Sequence, residues 1–412
     1  MIELLKLSSV LFLLIFLIKK KVPVGISLFC GGILVGILFG MPLSGMLREA
    51  LSAAVDAETL HLLVLVILIV FFGNLLRLIE NLRDLRIALE SLVANTKLVL
   101  MVLPAVIGLL PMPGGALVSA PMVEEVGAKR GLSPEIKTAM NYWFRHVWEY
   151  CFPLYPGIVL SAALLGVGLW RIAAAQIVLT FAMILLGLLF CTRKVKLAGN
   201  HAEPQEEQNK PFLLLVKSIW PVLLVVILNL LLKVDLVIAL GLVIVLLVFS
   251  KRVRSRDILR MVKQTVTFDV VALILGIMIF KGLLEGSGAV EVMPEQMMLL
   301  GIPEAAVTGI IPLTVGLLTG VTTGFVGVSY PILLPFLIPV ADQVDWSLVM
   351  LLYACGFIGV MLSPVHFCLI LTKDYFKADL LKVYKLILPP AVFLILFAVI
   401  LVALGYPWAL IR

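Results

Sequence analysis

Two short stretches hold most of the side chains able to do chemistry. One runs Asn141-Tyr142-Trp143-Phe144-Arg145-His146-Val147-Trp148-Glu149-Tyr150 and leads into Pro153 and Pro156; the other is Ser363-Pro364-Val365-His366. The planar guanidinium of Arg145 suits carboxylate or phosphate oxygens. Glu149 stands one helical turn later and is the local partner for it, so the two either form an internal pair or leave Arg145 to receive an anion. His146 and His366 are able to carry a proton or donate to a substrate, although a single histidine in an apolar span serves as readily for packing. Asn141 and the hydroxyls of Ser119, Thr322, Thr323, Ser329 and Ser363 complete the candidate substrate contacts. Backbone carbonyls at Pro113, Gly114, Gly115, Gly320, Thr322 and Gly324 are candidate cation ligands, because Pro and Gly give up helical hydrogen bonding there. An enzyme is not expected. His146-x-x-Glu149 lacks the second histidine of a zinc helix, Ser119 lacks the glycines of a nucleophile elbow, and no phosphate-cradling loop occurs. The five cysteines, Cys30, Cys151, Cys191, Cys355 and Cys368, are scattered without metal-type spacing, so neither a disulfide framework, a metal site nor a cofactor is expected.

The elements that must position these residues are set by composition. Of 412 residues, 62% are apolar and 14% charged, with a mean hydropathy of +1.17. Soluble domains hold roughly 45 to 50% apolar residues, so the chain is an integral membrane protein and its partner is the lipid bilayer rather than nucleic acid, despite a net charge of +7. Nearly uncharged runs predict full spans at 7–18, 22–41, 60–76, 134–166, 169–191, 212–232, 234–250, 268–285, 346–372 and 383–406. The spans at 134–166 and 346–372 are broken by Pro153, Pro156 and Pro364. The segments 98–128 and 304–340 are interrupted in the middle and predict re-entrant hairpins, whose tips must face protein or a watery cavity.

A polar linker at 192–210 divides the chain almost in half. Across it, Pro104-x-x-x-Gly108-Leu109-Leu110 returns as Pro312-x-x-x-Gly316-Leu317-Leu318, 208 residues on. Gly114-x-x-x-Val118-Ser119-x-Pro121 returns as Gly324-x-x-x-Val328-Ser329-x-Pro331, and Phe72-x-x-Leu75-Leu76 as Phe280-x-x-Leu283-Leu284. The expected fold is therefore all-α: repeats at 1–191 and 211–412, each of five spans and one hairpin. Five is odd, so the second repeat is inverted, as in secondary transporters. Charge supports the same topology. With both termini extracytoplasmic, Lys19 to Lys21, the 77–97 and 129–137 segments, the linker, 251–263 and 373–385 place most basic residues inside. Lys6, Arg48, Arg171, Lys233, Lys281 and Arg412 fall outside.

At the hairpins and the broken spans the chain resembles the ion transporter superfamily, and within it the family called domain of unknown function 401. The residues that carry the resemblance are Gly108 to Pro121 and Tyr142 to Tyr150, and it covers essentially the whole chain. Gluconate, dicarboxylate and citrate carriers and some sodium/proton antiporters share the architecture. In dicarboxylate carriers, Ser-Asn-Thr motifs at the tips hold sodium and substrate; here Pro113-Gly114-Gly115 and Thr322-Thr323-Gly324 stand instead. The resemblance implies a homodimer with a fixed scaffold and a moving transport unit in a cell (inner) membrane. The expected function is cation-coupled transport of a small organic anion by elevator-like alternating access, with Na+ or H+ as coupling ion. A sodium/proton antiporter, with Glu149 and His146 or His366 titrating, is the rival reading, and a channel the third.

Overall fold

The computed structural model describes residues 2–79, 95–110, 115–193, 211–289, 301–340 and 343–407, together with Ala88, Ser91, Val195 and Gln296. Pro113, Gly114, most of the 192–210 linker and Arg412 lie outside the described residues. Those described form helices, joined by short turns and an isolated bridge between Val340 and Gln343.

The first half contains α1 (Ile2–Lys19), α2 (Val24–Leu38), α3 (Leu43–Val55), α4 (Ala57–Leu78), α5 (Thr96–Gly108), α6 (Ala116–Ala128), α7 (Pro134–Arg145), α8 (Pro156–Leu165) and α9 (Leu169–Phe190). The second contains α10 (Pro211–Val226, continued by a π turn Ile227–Leu231), α11 (Leu236–Ser250), α12 (Ser255–Thr265), α13 (Phe268–Gly286), α14 (Glu304–Thr319), α15 (Thr322–Leu337), α16 (Trp346–Leu362), α17 (Phe367–Phe376) and α18 (Leu380–Ala403). Side-chain caps set several starts: Asp56, Ser133, Asp235, Asp345 and Asp379 each accept from a backbone N–H in the first turn, satisfying donors that a helix leaves orphaned.

The protein is membrane-embedded. Ala57–Leu78, Leu169–Phe190, Pro211–Leu231, Trp346–Phe376 and Leu380–Ala403 are each long and apolar enough to cross a bilayer, and α12 with α13 makes a sixth candidate bent by 44°. Both expected hairpins are helix pairs, α5–α6 and α14–α15, and both expected broken spans are helix pairs, α7–α8 and α16–α17. Two expected spans are shorter than drawn. α2 and α11 have 15 residues each, about 22 Å of helix against a ~30 Å hydrocarbon core. The helices α3 and α12 are absent from the expected spans. They are amphipathic, with Leu43, Leu47, Leu51 and Val55 outward on α3 and Leu259 and Val262 outward on α12.

Packing repeats across the halves. α2 lies along α13 as α11 lies along α4; α5 along α7 as α14 along α16; α8 along α15 as α17 along α6. Each half therefore completes the other: the second hairpin rests on the first broken span, and the second broken span on the first hairpin. Helix starts keep the register too, since α17 begins 211 residues after α8 and α18 begins 211 after α9. Single glycines permit the closest approaches. A Cβ on Gly276 would lie 2.2 Å from the carbonyl oxygen of Gly25, so α2 and α13 touch backbone to backbone, the close crossing that small residues allow in membranes.

Candidate functional site

The residues from Ser133 to Arg145 make a helix because Ser133 caps it, Pro134 opens it and Glu135 complements its positive end. It stops at Arg145, eight residues before Pro153. From His146 to Tyr155 the chain runs through irregular turns, with N–H groups reaching three residues back: His146 to Trp143, Glu149 to His146 and Cys151 to Trp148. The sequence places Glu149 one helical turn above Arg145; the structure ends the helix between them, and the two side chains make contacts with different hairpins. Arg145 lies over the first hairpin. Its guanidinium fills the space where Gly115 lacks a side chain, since a Cβ there would sit 2.3 Å from Nη2, and its Nη1 donates to the sulfur of Cys368 at 3.6 Å. Glu149 turns to the second hairpin, where the Thr322 hydroxyl donates to its Oε2 at 3.0 Å. Its Oε1 is 3.7 Å from His146 Nε2.

The second break is shorter, Ser363 to His366. The Ser363 hydroxyl accepts from the Val365 N–H at 3.3 Å, and Pro364 supplies a turn residue without a donor. Gly320 ends α14 at φ 64°, in the left-handed region that glycine enters without penalty. A Cβ there would come within 3.0 Å of the His366 nitrogen and the Ser363 hydroxyl. Its carbonyl accepts from His366 Nδ1 at 2.7 Å. Thr322, Thr323 and Gly324 begin α15 just beyond, so Gly320 and Thr322 tie the second tip to both breaks.

Burial is nearly complete. Arg145 is 4% exposed, His146 1%, Glu149 7% and His366 8%, so any ligand reaches them only after the elements part. Asn141 donates to the Ala116 carbonyl at 3.1 Å and to the Thr372 hydroxyl at 3.4 Å, while its Oδ1, buried, has no partner among the described residues. Ser119 donates within its own helix, to Gly115 and Ala116. Ser329, its repeat counterpart, is buried, and its hydroxyl has no partner among the described residues. Pro156 opens α8 at its first position, while Pro153 sits inside the break and ends no helix.

The aromatic residues of the first stretch hold the breaks together. The Tyr142 hydroxyl donates to the Met361 carbonyl at 2.8 Å and Tyr353 to that of Glu149 at 3.0 Å. Trp148 donates to Ala105 at 2.9 Å and Tyr155 to Gly108. Carbonyls released by a broken helix cannot find water in a membrane, so these donors take its place.

Sequence reasoning missed one association. His146 and His366 meet with Nε2 atoms 3.4 Å apart, and Cys368 Sγ joins them within 4.8 Å. The two histidines sit 220 residues apart in the chain, and only the repeat, which aligns the two breaks, hints at the meeting.

No curated protein matches the chain. The family model for proteins of unknown function DUF401 matches residues 2–406, and a match of that extent means that the chain belongs to the DUF401 family.

Proposed function

We propose that this protein is a cation-coupled secondary transporter of a small carboxylate-type organic anion, built on the plan of the ion transporter superfamily. One observation carries the reading: both helix breaks and the described ends of both hairpin tips converge on Arg145, Glu149, His146 and His366 through Gly115, Gly320 and Thr322. Broken helices that meet at depth expose backbone dipoles to small ions, the arrangement used by secondary carriers. Arg145 is the anion receptor. The unpartnered Oδ1 of Asn141, the Thr322 hydroxyl and carbonyls at the tips are the other ligands for substrate and coupling cation, Na+ or H+.

The repeated packing favours ten spans in two inverted repeats, with α3 and α12 lying at the membrane surface. Both termini then face the outside of an inner membrane and the 192–210 linker faces the cytoplasm. The closed site fits alternating access, with hairpins and broken spans moving against a scaffold that pairs in a homodimer. Uptake by proteoliposomes tests the proposal. A carboxylate panel offered with an inward Na+ or proton gradient should show gradient-dependent accumulation of at least one member. Sodium flux without any organic anion would mark the antiporter instead, and unitary currents a channel.

A further inference from the structure

The two histidines face one another in a way that suits a bound cation. His146 Nδ1 lies 2.7 Å from the Tyr142 carbonyl and His366 Nδ1 2.7 Å from the Gly320 carbonyl. A carbonyl oxygen only accepts, so each Nδ1 carries a proton, and in the neutral ring each Nε2 then presents a bare lone pair. Those lone pairs are 3.4 Å apart. A proton shared between them would draw the nitrogens to about 2.9 Å, the usual length of such a bond. Two nitrogens bound at ~2.05 Å to one tetrahedral ion stand about 3.4 Å apart. The observed 3.4 Å matches two ligands of one ion and is long for a shared proton. Each ring is also oriented through its far nitrogen by a backbone carbonyl, the usual support for a histidine that binds metal.

From this geometry we infer that His146 Nε2, His366 Nε2 and Cys368 Sγ form a binding site for a borderline-soft divalent transition-metal ion of the Zn2+ class. The three ligand atoms lie within 4.8 Å of one another. Glu149 Oε1 lies beside the three, 3.7 Å from His146 Nε2. Imidazole and thiolate select zinc-like ions over Mg2+ and Ca2+, which prefer all-oxygen shells. Binding requires the thiolate: the Cys368 S–H bond breaks, the sulfur pair forms the bond to the metal, and one proton leaves to solution. Arg145 donates to that sulfur at 3.6 Å. The guanidinium charge opposes the ion, while Glu149 supplies a compensating negative charge. The His146 ring has aromatic neighbours, with the Tyr142 centroid 4.9 Å and the Phe357 centroid 6.4 Å from its own. This site does not depend on which anion, if any, is carried.

The test uses the full chain, purified in detergent with a tag free of histidine. Zn2+ binding is measured by competition with a chromogenic chelator, and Co2+ spectra are recorded alongside. One Zn2+ per chain should bind, Mg2+ and Ca2+ should not compete, and the Co2+ form should show a thiolate charge-transfer band. Cys368→Ser should abolish that band and weaken Zn2+ by at least about tenfold, the lower end of what losing even an outer-shell partner costs. His146→Gln and His366→Gln should each abolish stoichiometric binding. No saturable Zn2+ binding in wild type would overturn the site, as would a Co2+ spectrum without the thiolate band. Binding unchanged in both histidine variants would overturn it too. The wild-type spectrum decides the matter even if a histidine variant fails to fold.

Discussion

Gly108 and Gly115 hold Arg145 from two sides, and the two contacts differ in kind. At Gly108 a Cβ would lie 2.2 Å from the Arg145 carbonyl oxygen, and neither backbone is able to yield. Gly108→Ala is expected to destabilise by about 1 to 3 kcal/mol, the usual cost of overpacking. Gly316→Ala should do the same, because its Cβ would lie 2.1 Å from the carbonyl of Gly356, the position that corresponds to Arg145 in the second half. Thermal unfolding in detergent measures both, and an unchanged midpoint in either variant would contradict the backbone contact. At Gly115 the neighbour is the end of a side chain. Gly115→Ala should therefore leave the unfolding midpoint nearly unchanged while displacing the guanidinium. Loss of one charge-assisted hydrogen bond, about 1.5 to 3 kcal/mol, should weaken the binding of the carried anion by tenfold or more, read by proteoliposome uptake at limiting concentration.

The amphipathic helices α3 and α12 carry an apolar stripe and a polar face, and each precedes a span. A fluorophore on a single cysteine at Leu47 or Leu259, in lipid nanodiscs, should be quenched by a nitroxide near the headgroups and spared by one at the bilayer centre. Water-exposed emission would contradict an interfacial position. Neither helix emerges from a search for uncharged runs, since its signal is period rather than composition. That each of the segments 98–128, 134–166, 304–340 and 346–372 is a pair of helices was more legible, because Pro and Gly mark the interruptions directly. Even there the sequence misplaced one boundary. Pro153 invites the end of α7, yet the helix stops at Arg145, where the carbonyl meets Gly108 and aromatic hydroxyls and indoles take up the loosened backbone. The contact of His146 with His366 was illegible for a different reason: ligand spacing along a chain does not register residues brought together by two separate breaks.

At the scale of the molecule, the proposed inverted repeat draws its support from packing that survives exchange of the halves, and its proposed direction from the basic residues. In a background lacking the five native cysteines, Ala202→Cys should react with a reagent from the cytoplasmic side, and a cysteine at Arg412 from the outside. The reverse pattern would turn over both hairpins. The central claim, that Arg145 receives a carboxylate, is tested most directly by thermal unfolding of wild type and Arg145→Lys against a panel of small carboxylates with sodium and at several pH values. A ligand at about 100 times its Kd adds about 2.7 kcal/mol to the form that binds it. At least one carboxylate should raise the midpoint of wild type by several degrees. It should leave Arg145→Lys unmoved at an unaltered starting midpoint, because an ammonium does not reproduce the bidentate fork. Equal stabilisation of the two proteins, or none of wild type by any member of the panel, would contradict the account.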